Sequence, residues 1–179
     1  MKKNCVILKW NPAISSYSMF HFLDNIYWSE TECNWSIYDY KQVKKHDKFF
    51  MLKVGIGTCG IVSAGTITSN PTPGEDWSGQ GRKIYYANYD CELMINPETL
   101  PIISTNMLEE KIPSFDWKGG HAGVVLNSKE AQVLDEIFNQ YLQDNGKIFL
   151  DRLDLIERRY MQNDQLYLSD KILEKINCK

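Results

Sequence analysis

The sequence predicts an α+β domain whose mainly antiparallel sheet can close into a barrel, with flanking helices and a helical C-terminal tail. Three observations predict it. Segments rich in β-branched and aromatic residues come in adjacent groups with short connections, as strands of an antiparallel sheet do. Helical spacing of apolar residues falls mostly near the two ends of the chain, which separates helices from strands. Glycine-rich joints at residues 55–60 and 119–123 supply the turns. Closing the sheet would remove its exposed edges.

Each element has a local reason. Cys5-Val6-Ile7-Leu8 is a short apolar strand that Trp10-Asn11-Pro12 ends. Ser15 or Ser16 caps a helix carrying Tyr17, Phe20, Phe22, Leu23 and Ile26, because serine oxygens accept from free N–H groups of a first turn. Residues 28–34 are polar and read as a loop, and Trp35-Ser36-Ile37-Tyr38 as a short strand or turn. A basic run at 41–47 leads into a strand over 48–54, and the β-branched run 60–69 forms the next. Proline, glycine and aspartate crowd residues 70–81 into a long loop. A strand follows at 83–95, stopped by Asn96-Pro97, then a short helix over 105–111. A second glycine-rich loop at 117–123 leads to Val124-Val125-Leu126. Ser128 caps an amphipathic helix with Ala131, Val133, Leu134, Ile137, Phe138, Tyr141 and Leu142 on one face. After Asn145-Gly146 the composition changes, so residues 1–145 are expected to form the domain. Residues 146–179 would be a helical extension, packed on that domain or forming a dimer surface.

Composition narrows the function classes. The 179 residues are 43% hydrophobic with a net charge of −3, which suits one folded domain and neither demands nor excludes a nucleic-acid partner. The five cysteines, at 5, 33, 59, 91 and 178, form no C-x-x-C pair, so free thiols in the cytoplasm are expected rather than disulfides or a zinc knuckle. No stretch approaches the ~20 apolar residues of a membrane span. Metal-ligand spacings are absent, so no metal is expected.

Gly55-Ile56-Gly57-Thr58-Cys59-Gly60 matches the dinucleotide fingerprint G-x-G-x-x-G. That fingerprint needs a helix after it to receive the pyrophosphate. A β-branched run follows instead, so the glycines read as a hairpin loop, and no nucleotide cofactor is expected. Of the histidines, His21 lies in a helix and His46 in a solvated basic run, whereas His121 sits among Gly119, Gly120 and Gly123, where backbone can approach a ligand closely. The acidic pairs Glu75-Asp76 and Glu109-Glu110 read as solvated charge.

Trp10, Trp35, Trp77 and Trp117 each stand in or beside a polar or glycine-rich loop. Singly, each would be an ordinary core residue. Together they offer flat faces that stack on bases or wall a pocket for a flipped one. Lys41, Lys44, Lys45, Arg82 and Lys83 lie near them in sequence and could neutralise phosphates.

The order of these motifs carries a resemblance. Leu8-Lys9-Trp10-Asn11-Pro12 is followed by Trp35-Ser36, by the basic segment ending in Asp47-Lys48-Phe49-Phe50-Met51-Leu52, and by Gly60-Ile61-Val62-Ser63-Ala64-Gly65. Asp76-Trp77-Ser78-Gly79, Asn96-Pro97 with Pro101-Ile102, and Trp117 with His121-Ala122-Gly123-Val124 complete it. Over roughly residues 4–142 this series resembles the EVE-like domains of the PUA-like superfamily, especially the version found in front of bacterial HNH endonuclease modules. The resemblance implies a PUA-like pseudobarrel and a cleft for DNA or RNA, often for a modified base such as methylated cytosine. Carried over by position, it implies base contacts from Trp10, Asn11, Trp35, Ser36, Leu52, Lys53, Trp77 and Ser78, with His121 in the last motif. Two departures stand out. No HNH segment follows, so a nuclease would be a separately encoded partner. Gly120-His121-Ala122-Gly123 stands where relatives have serine-serine-glycine.

The expected function is therefore a non-enzymatic nucleic-acid-binding module that reads a modified base by flipping it into an aromatic-lined cleft. Two alternatives are a small hydrolase or nuclease using His121, and an interaction module acting through the tail.

Overall fold

The computed structural model describes residues 2–177; Cys178 lies outside them. Its order is β1 (Cys5–Trp10), α1 (Met19–Trp28), β2 (Glu32–Ser36), β3 (Lys48–Lys53), β4 (Gly60–Ile67), β5 (Thr72–Gly74), β6 (Ile84–Ile95), β7 (Ile103–Ser104), α2 (Thr105–Lys111), β8 (Val124–Val125), α3 (Ser128–Glu157), β9 (Leu166–Leu168) and α4 (Asp170–Asn177). The strands form one strongly curled, half-barrel sheet with the path β2-β6-β4-β3-β1-β8. All its pairings are antiparallel except β1 with β3. No helix among the described residues is long and apolar enough to cross a membrane.

The curl has a local cause. The β4–β6 ladder shifts register between Ala64 and Gly65, and the β3–β4 ladder between Met51 and Leu52; such bulges bend a strand and increase its twist. At Gly65 a side chain has no room: a Cβ would stand 2.0 Å from the Asp90 carbonyl oxygen. The outer ends of the path then meet. Tyr38 N–H donates to the Ala122 carbonyl and Asp39 N–H to that of Gly123, both at 3.0 Å. Gly123 has φ +72°, and a Cβ there would lie 2.4 Å from Ile37 Cα.

Both faces of the sheet are covered, which is why β1 and β3 read as unbroken apolar runs. Ile7, Phe50, Leu52, Leu93 and Ile95 join a core completed by α2, α3 and α4. Val6, Leu8, Trp10, Phe49, Met51 and Tyr89 join a second core with α1. Trp35 of β2 and Val125 of β8 both pack against this second core, so it fills the side around which the sheet curls.

Several expectations need correction. Ser18, not Ser15 or Ser16, caps α1: it accepts from His21 N–H, and His21 closes the capping box. Residues before it form a turn, with Ile14 and Ser15 N–H bonded to the Asn11 carbonyl. The expected loop over 28–34 is confined to residues 29–31, between the end of α1 and the start of β2, and the loop over 70–81 contains β5. Asn127, not Ser128, caps α3. That helix continues through Asn145–Gly146 to Glu157, so the change of composition is not a structural break. Gly146 instead makes room for α4, because a Cβ there would stand 2.7 Å from Ile176 Cγ2. The tail is not purely helical: β9 pairs antiparallel with β6, and Ile172 and Ile176 are buried in the first core.

The crowding at Gly65 makes a testable statement. Gly65→Ala should cost about 3 kcal/mol, the upper end for overpacking, and lower the melting temperature by roughly 10 °C for a domain of this size. Gly79 has a positive φ, but a Cβ there would meet nothing within 4 Å, so Gly79→Ala should cost only about 1 kcal/mol. Thermal melts of the two variants check the difference.

Candidate functional site

A cleft of about 600 Å³ opens where the ends of β1 and β2 meet the loops at 75–82 and 116–123, a size that suits a small organic ligand. Tyr17, Trp35, Trp77 and Tyr86 form its aromatic walls, and Asn11, Asn34 and Ser36 present polar groups. Among the described residues, its only charged lining side chains are Lys9 and Lys118. A second lobe of about 430 Å³ adjoins it, bordered by Tyr38, Tyr40, Tyr85, His121, Arg82 and Lys83. Ser36, Trp77, Gly120 and Ala122 line both lobes. The chain carries 23 carboxylate side chains, yet none among the described residues lines either lobe. Such a surface favours neutral or anionic ligands.

Each wall is held by identifiable contacts. Trp35 Nε1–H donates to the Lys9 carbonyl at 3.2 Å, and its ring meets Tyr17 edge-on with centroids 5.9 Å apart. Asn11 accepts from Ala13 N–H through Oδ1, and no partner for its Nδ2 is found among the described residues. Lys9 Nζ donates to the Asp116 and Gly119 carbonyls, which ties the second glycine-rich loop to the end of β1. Burial lowers the Lys9 pKa, against the opposing pull of Asp116.

The Trp77 loop is built around Asp76. That carboxylate accepts from Ser78 N–H and Oγ–H, and from the Arg82 backbone and guanidinium. The Arg82 guanidinium, with help from Ser78, holds the Asp76 carboxyl well below the usual carboxylate range. Tyr86 Oη–H fixes the loop's start by donating to the Glu75 carbonyl at 2.6 Å. Trp77 is left 56% exposed, projecting between the lobes.

The second lobe holds two parallel ring pairs. Tyr38 and His121 lie 4.0 Å apart with planes at 2°, and Tyr40 and Tyr85 lie 3.6 Å apart, also at 2°. Lys83 Nζ sits 5.5 Å from the Tyr85 ring centre and Lys41 Nζ 5.9 Å from that of Tyr40. Lys83, by hydrogen bonding and charge, lowers the Tyr85 phenol pKa.

The structure thus brings together Asn11, Trp35, Ser36 and Trp77 in the first lobe, and His121, Arg82 and Lys83 in the second. Other expected contacts are placed elsewhere. Trp10 is buried, packed on Tyr17 and Phe22, with Nε1–H donated to the Tyr17 carbonyl. Leu52 lies in the core because both faces of β3 are covered. Lys53 is buried and donates through Nζ to the Ile56 and Thr58 carbonyls, bracing the glycine loop, which does connect two antiparallel strands. Ser78 serves Asp76 and Arg82 and does not line the cleft. Lys44 and Lys45 lie in the turn before β3, outside both linings. Trp117 is a core residue bonded to the Ile112 carbonyl. Sequence reasoning missed Lys9 and the tyrosines; the one available signal was a lone charge at the end of an apolar strand.

No family model and no curated protein matches this chain. Among solved structures, it is similar to a hypothetical protein from Leishmania major, with a TM-score of 0.52 at 8% identity over 78% of this chain and 97% of that one. At that identity the likeness is one of fold.

The Asp76 arrangement predicts a pH response. A carboxyl with a depressed folded pKa stabilises the fold above its unfolded pKa, and this is lost as pH falls through the folded value. Trp77 emission, isolated by difference from Trp77→Phe, should therefore persist through about pH 4 and change only at more acid pH. Asp76→Asn should alter it already at pH 7. A wild-type transition centred near pH 4 would contradict the assignment.

Proposed function

We propose that this protein is a non-enzymatic nucleic-acid-binding module of PUA-like type, whose first lobe receives one unpaired base. The observation that carries the reading is the first lobe itself: aromatic walls from Trp35, Trp77, Tyr17 and Tyr86, polar edge groups from Asn11, Asn34 and Ser36, and no carboxylate among its described lining residues. Reading an extruded base needs stacking faces and hydrogen bonds to its edge, and these residues supply both. Lys83 and Lys41 stand beside it to meet phosphates, while Arg82, paired with Asp76, holds the loop that displays Trp77. The curled half-barrel supports the PUA-like identity, the sequence resemblance suggests a modified base such as methylated cytosine and a nuclease as partner, and the free thiols suggest a cytoplasmic setting. A methyl group adds only apolar contact, so discrimination would be on the order of tenfold.

The hydrolase alternative needs a carboxylate beside His121. The described lining of its lobe contains none, and its ring is stacked on Tyr38.

Quenching of tryptophan emission by cytosine-containing DNA and RNA oligonucleotides, with and without 5-methylation, tests the proposal. Binding should weaken steeply with salt, and Trp35→Ala should weaken it about tenfold or more, the worth of one stacked base. Absence of binding to both polymers at low salt would end the reading.

A further inference from the structure

We infer that the second lobe is a second base-stacking subsite, so that the ligand is a single strand presenting two consecutive unpaired nucleotides. This rests on the reading of the first lobe as a base site. Four features of the second lobe lead there.

The lobes are adjacent. They share Ser36, Trp77, Gly120 and Ala122, so a ligand extended beyond one lobe reaches the lining of the other. Trp77 projects between them. A strand passing around that indole would have its two bases splayed to either side.

The ring geometry is that of a platform. Most buried aromatic pairs described in this protein are tilted or edge-on, as with Trp10 on Phe22 at 44° and Phe49 on Tyr89 at 54°, and the flattest of them, Phe138 on Tyr141, is still inclined by 25°. Tilted and offset arrangements are favoured because they align ring edges with ring faces. The Tyr38–His121 and Tyr40–Tyr85 pairs are instead parallel within 2°. Tyr38 is 58% exposed, and His121 is exposed too. Parallel, partly exposed rings offer flat faces to a further ring, and every base has such a face.

The backbone that holds this platform is fixed. Tyr38 N–H bonds to Ala122, the residue after His121, and Gly123 packs against Ile37 without room for a Cβ. The stack of Tyr38 on His121 therefore follows from the closure of the sheet.

The charge is suited to a phosphate linking two bases. Lys83 and Lys41 flank the Tyr40–Tyr85 pair, and no described carboxylate lines the lobe. The nearby Asp76 is already engaged by Arg82 and Ser78. A base flipped from a duplex leaves its neighbours stacked in the helix, and these would have no use for an aromatic platform beside the pocket.

The experiment compares probes of one and two nucleotides by calorimetry or tryptophan quenching: dCMP, the dinucleotide d(CpC), and a short C-rich oligonucleotide as single strand and as duplex. In the wild-type protein d(CpC) should bind about tenfold tighter than dCMP, and the single strand tighter than the duplex. Tyr85→Leu should bring the ratio of d(CpC) to dCMP affinity close to one. His121→Ala, at an exposed loop position, should do the same and guards against misfolding of the strand variant. A wild-type ratio near one, a ratio that both variants leave intact, or a duplex bound as tightly as the single strand would overturn the inference. If Trp35→Ala still weakens dCMP binding in that case, the base site stands and only the second subsite falls. If dCMP binding is absent, or indifferent to Trp35→Ala, the first-lobe reading falls as well.

Discussion

The close approach of β4 to β6 at Gly65 is the constraint from which the rest of the architecture follows. A Cβ at this position would stand 2.0 Å from a backbone oxygen and 2.9 Å from Phe49. With no side chain there, the ladder can shift register, bend and twist. Bending at β4, near the middle of the strand path, carries β2 and β8 toward one another. Gly123 then lets the backbone at 37–39 bond to that at 122–123. Two glycines, one in the sheet and one at its seam, thus convert an open sheet into a curled one with covered faces.

The cleft is a consequence of that closure. Trp35 on β2 is brought against the Lys9 carbonyl on β1, strands that are not neighbours in the sheet. Lys9 in turn holds the 116–119 loop, whose continuation places Gly120 and His121. The opposite wall depends on a separate device. Asp76 gathers Ser78 and Arg82 around its carboxylate so that Trp77 is displayed rather than buried. Arg82 and Ser78 therefore act chiefly by shaping the wall, which differs from the direct contacts their sequence positions suggest.

Local signals in the chain were readable wherever local chemistry governs. The hairpin at 54–59 was legible because a β-branched run rules out a receiving helix after the glycines. The tryptophans were not separable. All four lie beside breaks in the pattern, yet Trp10 and Trp117 are core residues whereas Trp35 and Trp77 line the cleft. Nothing in the local pattern around Trp10 announces that Tyr17 and Phe22 will cover its ring. The lysines behave likewise: Lys53 is buried against carbonyls, whereas Lys83 rims the second lobe.

By itself the sequence determined the class of the fold, the existence of most of its elements and the pool of aromatic and basic residues from which a site can be drawn. These depend on the periodicity, turn chemistry and composition of neighbouring residues. Tertiary structure alone decided which members of that pool meet. It joined residues 35, 77, 86 and 118 into one wall, stacked Tyr38 on His121, and turned the composition change at Asn145–Gly146 into a helix–helix contact. The physical reason is that each of these depends on backbone approaches between segments distant in the chain, set by where a Cβ fits and where it does not.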